Sequence, residues 1–233
     1  MEIAILTPAG SQFILRWIHL LAGVTWIGLL YYFNFVQGEW FKETEANVKN
    51  AAIGKLVPRA LWWFRWGAMF TFVSGLGILL HRGGSAGWDQ FKSPYGVLIL
   101  TGALLGTFMF LNVWLIIWPN QKKVIASAEQ VLKGGAALPD AAAAGAKGLL
   151  ASRTNTLFSI PMLFFMGAAS HLPVTFMADV KLNHLALPMI AIIVLLELNA
   201  IRGKLGPLAT IKGVIHCGLL LTIVLYGIIE VLA

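Results

Sequence analysis

Apolar runs of about 18–24 residues recur along the chain, separated by short polar stretches. Six of them predict membrane-spanning helices, at about 13–36, 60–82, 95–118, 154–177, 184–201 and 209–231. Each is near the roughly 20 residues that a bilayer core requires. The fifth is the shortest, and Pro188 near its start predicts a kink. The polar stretch at about 37–59 carries Glu39, Lys42, Glu43, Glu45, Lys49, Lys55 and Arg59. With Trp40 and Phe41 it predicts an amphipathic helix lying at the interface. The stretch at 119–153 predicts a surface helical hairpin, broken by Gly134-Gly135 and Pro139. The expected architecture is all-α: one polytopic transmembrane domain spanning 1–233.

Composition agrees with the pattern. Of the 233 residues, 58% are hydrophobic and 12% charged, and mean hydropathy is +0.80. A soluble domain carries about twice that charged share. A disordered chain and an ordinary cytosolic enzyme are excluded. Cys217 is the one cysteine. It excludes an internal disulfide, a cysteine-rich zinc site, an iron–sulfur cluster and a c-type haem attachment site.

The net charge of +7 reads as topology rather than as nucleic-acid binding. Thirteen basic residues fall on one side: Lys42, Lys49, Lys55, Arg59, Arg65, Lys122, Lys123, Lys133, Lys147, Arg153, Arg202, Lys204 and Lys212. Four fall on the other: Arg16, Arg82, Lys92 and Lys181. The bias predicts cytoplasmic loops at about 37–59 and 119–153. Both termini are then outside, periplasmic in a bacterial inner membrane. Met1 to Arg16 lacks the basic start of a cleavable signal peptide, so the first run is expected to remain as a span.

The polar residues inside the spans are the candidate chemistry. His19 and His171 fall about six residues in from the outer ends of the first and fourth spans. At 1.5 Å per residue both are expected roughly 9 Å below the outer interface. Histidines at matching depth on two helices are what a bis-histidine haem b requires. Arg16, His19, Gly23 and Trp26 share one helical stripe, and Gly167 precedes His171 by one turn. Arg16 is a candidate propionate partner. His81 and His184, at the outer ends of spans two and five, are further candidates for ligation or propionate binding. His216 and Glu197 fall at similar inner depth and form a candidate proton-handling pair. The competing reading of each histidine is a structural hydrogen bond between helices, and copper is the alternative metal. Gly75, Gly77, Gly102 and Gly106 read as close helix packing. Asn34, Asn112, Asn120, Asn155, Tyr31 and Tyr32 fall towards the inner side, where bonding to backbone at helix ends is the favoured reading.

Three segments carry a family resemblance. Arg16-Trp-Ile-His-Leu-Leu-Ala-Gly-Val-Thr-Trp-Ile-Gly28, with Tyr31-Tyr-Phe-Asn-Phe-Val36 after it, is similar to the start of the membrane domain of bacterial urate oxidases. Asn112-Val-Trp-Leu-Ile-Ile-Trp-Pro-Asn-Gln-Lys-Lys123 resembles the same family. So does Ser152-Arg-Thr-Asn-Thr-Leu-Phe-Ser-Ile-Pro-Met162, running on to His171. The first segment is more faintly similar to the first helix of copper-resistance membrane proteins and of a haem-containing protoporphyrinogen oxidase. The resemblance implies oxidation of urate to 5-hydroxyisourate, with electrons passed to cytochrome c. It draws attention to His19, His171, Asn112, Trp118, Pro119, Asn120, Arg153 and Asn155.

Members of that family carry a C-terminal cytochrome c domain, and the chain, ending after the sixth span, is expected to be a version without it. The expectation is therefore a haem b oxidoreductase that uses a separate periplasmic c-type cytochrome. Two alternatives stand beside it: a non-enzymatic subunit of a respiratory or photosynthetic complex, and a copper-handling membrane protein. A homo-oligomer is compatible with all three, through the small-residue surfaces.

Overall fold

A computed structural model describes residues 3–177 and 180–233. Seven helices of ten residues or more carry the fold: α1 (Pro8–Glu43), α2 (Ala46–Lys55), α3 (Val57–Ala86), α4 (Pro94–Leu132), α5 (Ala141–His171), α6 (Leu182–Arg202) and α7 (Ile211–Leu232). No strand occurs among the described residues. Thr7, Ser93 and Thr210 cap α1, α4 and α7, each accepting from a backbone N–H three residues on.

Among the described residues, five helices are long and apolar enough to cross a membrane: α1, α3, α4, α6 and α7. The sixth long helix, α5, is the most polar and also the most enclosed. Fifteen of its 31 residues are buried, among them Arg153, Thr154, Asn155, Thr156 and Ser159. It packs on α4 and α7 and touches α1 and α6. A helix surrounded by other helices has no lipid to satisfy, so its polar side chains bond its neighbours. Lipid-type side chains are left to the outer faces, such as Leu20, Leu21 and Val24 on α1 and Leu219, Leu220 and Ile223 on α7.

Small residues set two close contacts. A Cβ on Gly67 would lie 3.2 Å from the Trp26 backbone nitrogen, bringing α3 onto α1. A Cβ on Gly102 would lie 3.3 Å from Met166, bringing α4 onto α5.

The loops differ from the expected boundaries. Residues Gly38–Glu43 continue the first span instead of forming a separate interfacial helix. Likewise α4 runs on to Leu132 past the membrane segment, and α2 packs on that extension. The hairpin turn comes where expected, at Gly134, whose φ of 85° favours glycine. α6 continues through Pro188 as helix.

Candidate functional site

Histidines dominate the end of the bundle opposite the basic loops. His19 faces α3: its Nδ1 lies 2.8 Å from the Thr71 carbonyl, and Ser74 Oγ is 3.4 Å away. A carbonyl only accepts, so Nδ1 carries the proton and Nε2 keeps its lone pair. Gly75 makes the room, since a Cβ there would come 3.0 Å from His19 Cε1. Trp26 on the same stripe is buried, and Gly23 lies by Thr71. Of the predicted stripe, His19, Gly23 and Trp26 therefore pack on α3.

His171 is the last residue of α5, and it is exposed. Sequence patterning placed it one and a half turns inside a longer helix. Pro173 ends α5 early, because the residue before a proline is driven from helical to extended backbone. Leu172 has ψ 122° accordingly. No hydrogen bond joins His19 to His171 among the described residues. His184, in the first turn of α6, and Arg16 are also exposed. His81 is half-buried, and its Nδ1 has no hydrogen-bond partner among the described residues. Its neighbour Arg82 bonds Gln90 at 2.6 Å and stacks on Tyr95. No group of three or more His, Cys, Asp or Glu residues is placed to hold a metal ion among the described residues.

The basic end holds a second, more enclosed cluster. Helices α1 and α4 each contain one widened π turn, at Tyr32–Gln37 and Asn112–Ile117. Such turns recur at functional sites. Each carries a buried asparagine turned towards α5. Asn34 Nδ2 donates to the Leu30 carbonyl (2.9 Å) and to Ser152 Oγ (2.8 Å). Asn112 Nδ2 donates to Asn155 Oδ1 (2.9 Å) and to Glu197 Oε2 (3.0 Å). Asn155 Nδ2 in turn donates to the Met109 carbonyl (2.9 Å). Ser159 gives its proton to the Thr156 carbonyl, so Tyr31 donates to Ser159 Oγ across 3.0 Å.

The expected Glu197–His216 pair is not formed. Glu197 is 6% exposed and bonded to Asn112, whereas His216 is exposed. The reason is helical phase. The buried stripe of α7 runs through Val214, Gly218, Leu221, Leu225 and Ile229, and His216 falls on the opposite face.

Arg153 is the least satisfied member. Its side chain is 4% exposed, and Nε and Nη1 have no hydrogen-bond partner among the described residues. The Glu39 carboxylate lies 3.7 Å from Nη2, beyond hydrogen-bond distance. Both Glu39 oxygens are held by Lys42 Nζ at 2.8 Å. The buried acceptors Asn34 Oδ1, Gln37 Oε1 and Asn112 Oδ1 also lack donors.

The chain matches the family described as urate oxidase N-terminal over residues 85–225, more than half its length. The chain belongs to the urate oxidase N-terminal family. No curated protein and no solved structure matches it. The matched stretch contains Asn112, Arg153, Asn155, His171, His184, Glu197 and His216. His19 and His81 lie outside it. Two of the three segments that carried the resemblance fall within it, and the Arg16–Val36 segment does not.

Proposed function

We propose that this member of the urate oxidase N-terminal family is a membrane-bound oxidoreductase of the urate-oxidising type. It holds haem b and passes electrons to a separate c-type cytochrome. Family membership carries the reading. The overall reaction balances as urate plus water giving 5-hydroxyisourate, two electrons and two protons.

His19 supports the cofactor. Its Nδ1–H is committed to the Thr71 carbonyl, which fixes the tautomer and leaves Nε2 as a ligand atom. Haem, when bound, supplies a one-electron couple whose potential the axial ligands and surrounding dielectric set. His171, His81 or His184 would supply a second ligand, and Arg16 would pair with a propionate. Glu197, enclosed and bonded by Asn112, serves as the proton-handling group. His216 acts apart from it. The membrane is the bacterial inner membrane, with the basic end cytoplasmic and the termini periplasmic.

The test is urate-dependent reduction of an added c-type cytochrome by the detergent-purified chain. Reduction in the wild type and its loss in His19→Ala are expected. Absence of urate-dependent reduction from folded, haem-loaded protein would overturn the assignment.

One observation favours a second reading. His216 points away from its own bundle within a span, where an imidazole calls for a partner. A subunit of a larger membrane complex would supply one. Copurification of a stable assembly in mild detergent, dispersed by His216→Leu, is the result expected of that reading.

A further inference from the structure

We propose that Arg153 is the centre of an anion-binding site entered from the basic end, for an anion that also carries N–H or O–H donors. Leaving guanidinium N–H groups without hydrogen-bond partners in a protein interior costs free energy even where an ion pair remains. Here two of its nitrogens have no partner, and its nearest carboxylate is drawn off by Lys42. Two buried side-chain carbonyl oxygens on the stretch of α1 that runs along this part of α5 have the complementary need. Asn34 is tied to Ser152 and Glu39 lies by Arg153, so residues 34–39 of α1 run along 152–153 of α5. Gln37 belongs to that stretch, and both Asn34 Oδ1 and Gln37 Oε1 lack donors.

A bare anion such as chloride satisfies the guanidinium and leaves the amide oxygens unpaired. A cation satisfies the amides and is repelled by Arg153. An anion bearing hydrogen satisfies both. Two sources share that chemistry: a lactam anion of the oxopurine class, and a partly protonated inorganic phosphate. Access is past Glu39, whose side chain is 39% exposed. In this arrangement Glu39 competes with the ligand for Arg153.

The site stands apart from His19. Asn34 is fifteen residues further along α1, roughly 22 Å at 1.5 Å per residue. The urate arm rests on the proposed function, but binding at Arg153 is readable without haem chemistry, so its failure and a failure of cytochrome reduction are distinguishable.

The experiment is titration calorimetry of the detergent-purified full chain with urate, with inorganic phosphate and with chloride at constant ionic strength. Saturable binding of urate or of phosphate, without chloride binding, is expected, and whichever binds identifies the source. Glu39→Gln should tighten binding about two- to fivefold, the size of a partly exposed charge contact. Gln37→Met keeps the volume, removes an acceptor and should weaken binding about tenfold. Arg153→Gln should abolish it. Should Arg153→Gln fail to fold, the Glu39 and Gln37 variants decide. No saturable binding of urate or phosphate overturns the proposal. So does equal binding of chloride, or affinity unchanged in both Glu39→Gln and Gln37→Met.

Discussion

At the basic end of the bundle, Asn34, Asn112, Asn155 and Glu197 are buried and bonded across four helices. At the opposite end, His171, His184 and Arg16 are exposed, while His19 is tied to a neighbouring helix. The histidines carry the more familiar redox chemistry. The asparagines carry the geometry. A buried amide must find partners on its neighbours or pay for its desolvation, so it fixes helix positions. An exposed imidazole fixes nothing in this chain and is free for a ligand or a partner.

The largest effect that sharpens this contrast is expected from Asn155→Leu. It removes the acceptor for Asn112 and the donor to the Met109 carbonyl in one step. A loss of about 1–3 kcal/mol is expected, read as a lower unfolding midpoint in detergent. Next comes Gly67→Ala. The added Cβ meets the Trp26 nitrogen at 3.2 Å and the Ala22 carbonyl oxygen at 3.3 Å, both backbone atoms that cannot swing aside. Parting α1 from α3 should cost about 1–2 kcal/mol by the same assay. By contrast, His171→Ala and His184→Ala should each stay within about 0.5 kcal/mol, as exposed positions do. A loss at His171 as large as that at Asn155 would break the comparison.

The smallest effect is electrostatic. Lys123 Nζ donates to Asp140 Oδ2 at 2.8 Å, across the α4–α5 hairpin. That hydrogen bond, reinforced by the lysine charge, lowers the Asp140 carboxyl below its ordinary range. A depressed folded-state value stabilises above the unfolded one, and the gain is lost as pH falls through the folded value. Wild type and Lys123→Ala should therefore differ in Tm by about 1 °C or less at neutral pH, and should converge in acid.

The helix pattern was legible from apolar runs alone, because lipid and helix packing both demand them. The hairpin break at Gly134 was legible from turn chemistry. The inner cluster was half legible. Asn112, Arg153 and Asn155 stood out through the family resemblance, yet bonding at helix ends was the favoured reading for the asparagines. What sequence missed was that α5 is enclosed, which turns its polar residues inward. The π turns at Tyr32–Gln37 and Asn112–Ile117 shift the helical phase, and no residue pattern announced them. His171 ends α5 instead of lying inside it, although Pro173 stood in view, because apolarity continues past the proline. Of the stripe Arg16, His19, Gly23 and Trp26, the last three meet α3 together, while Arg16 is exposed. Periodicity names a face but not the helix it meets.

An absorption spectrum of the detergent-purified protein, before and after dithionite, tests the redox reading most directly, with His19→Ala alongside. The account predicts a Soret band and sharp reduced α and β bands in the wild type, lost in the variant while the helical fold persists. A flat spectrum from folded wild-type protein made with adequate haem, or bands unchanged in His19→Ala, would contradict it.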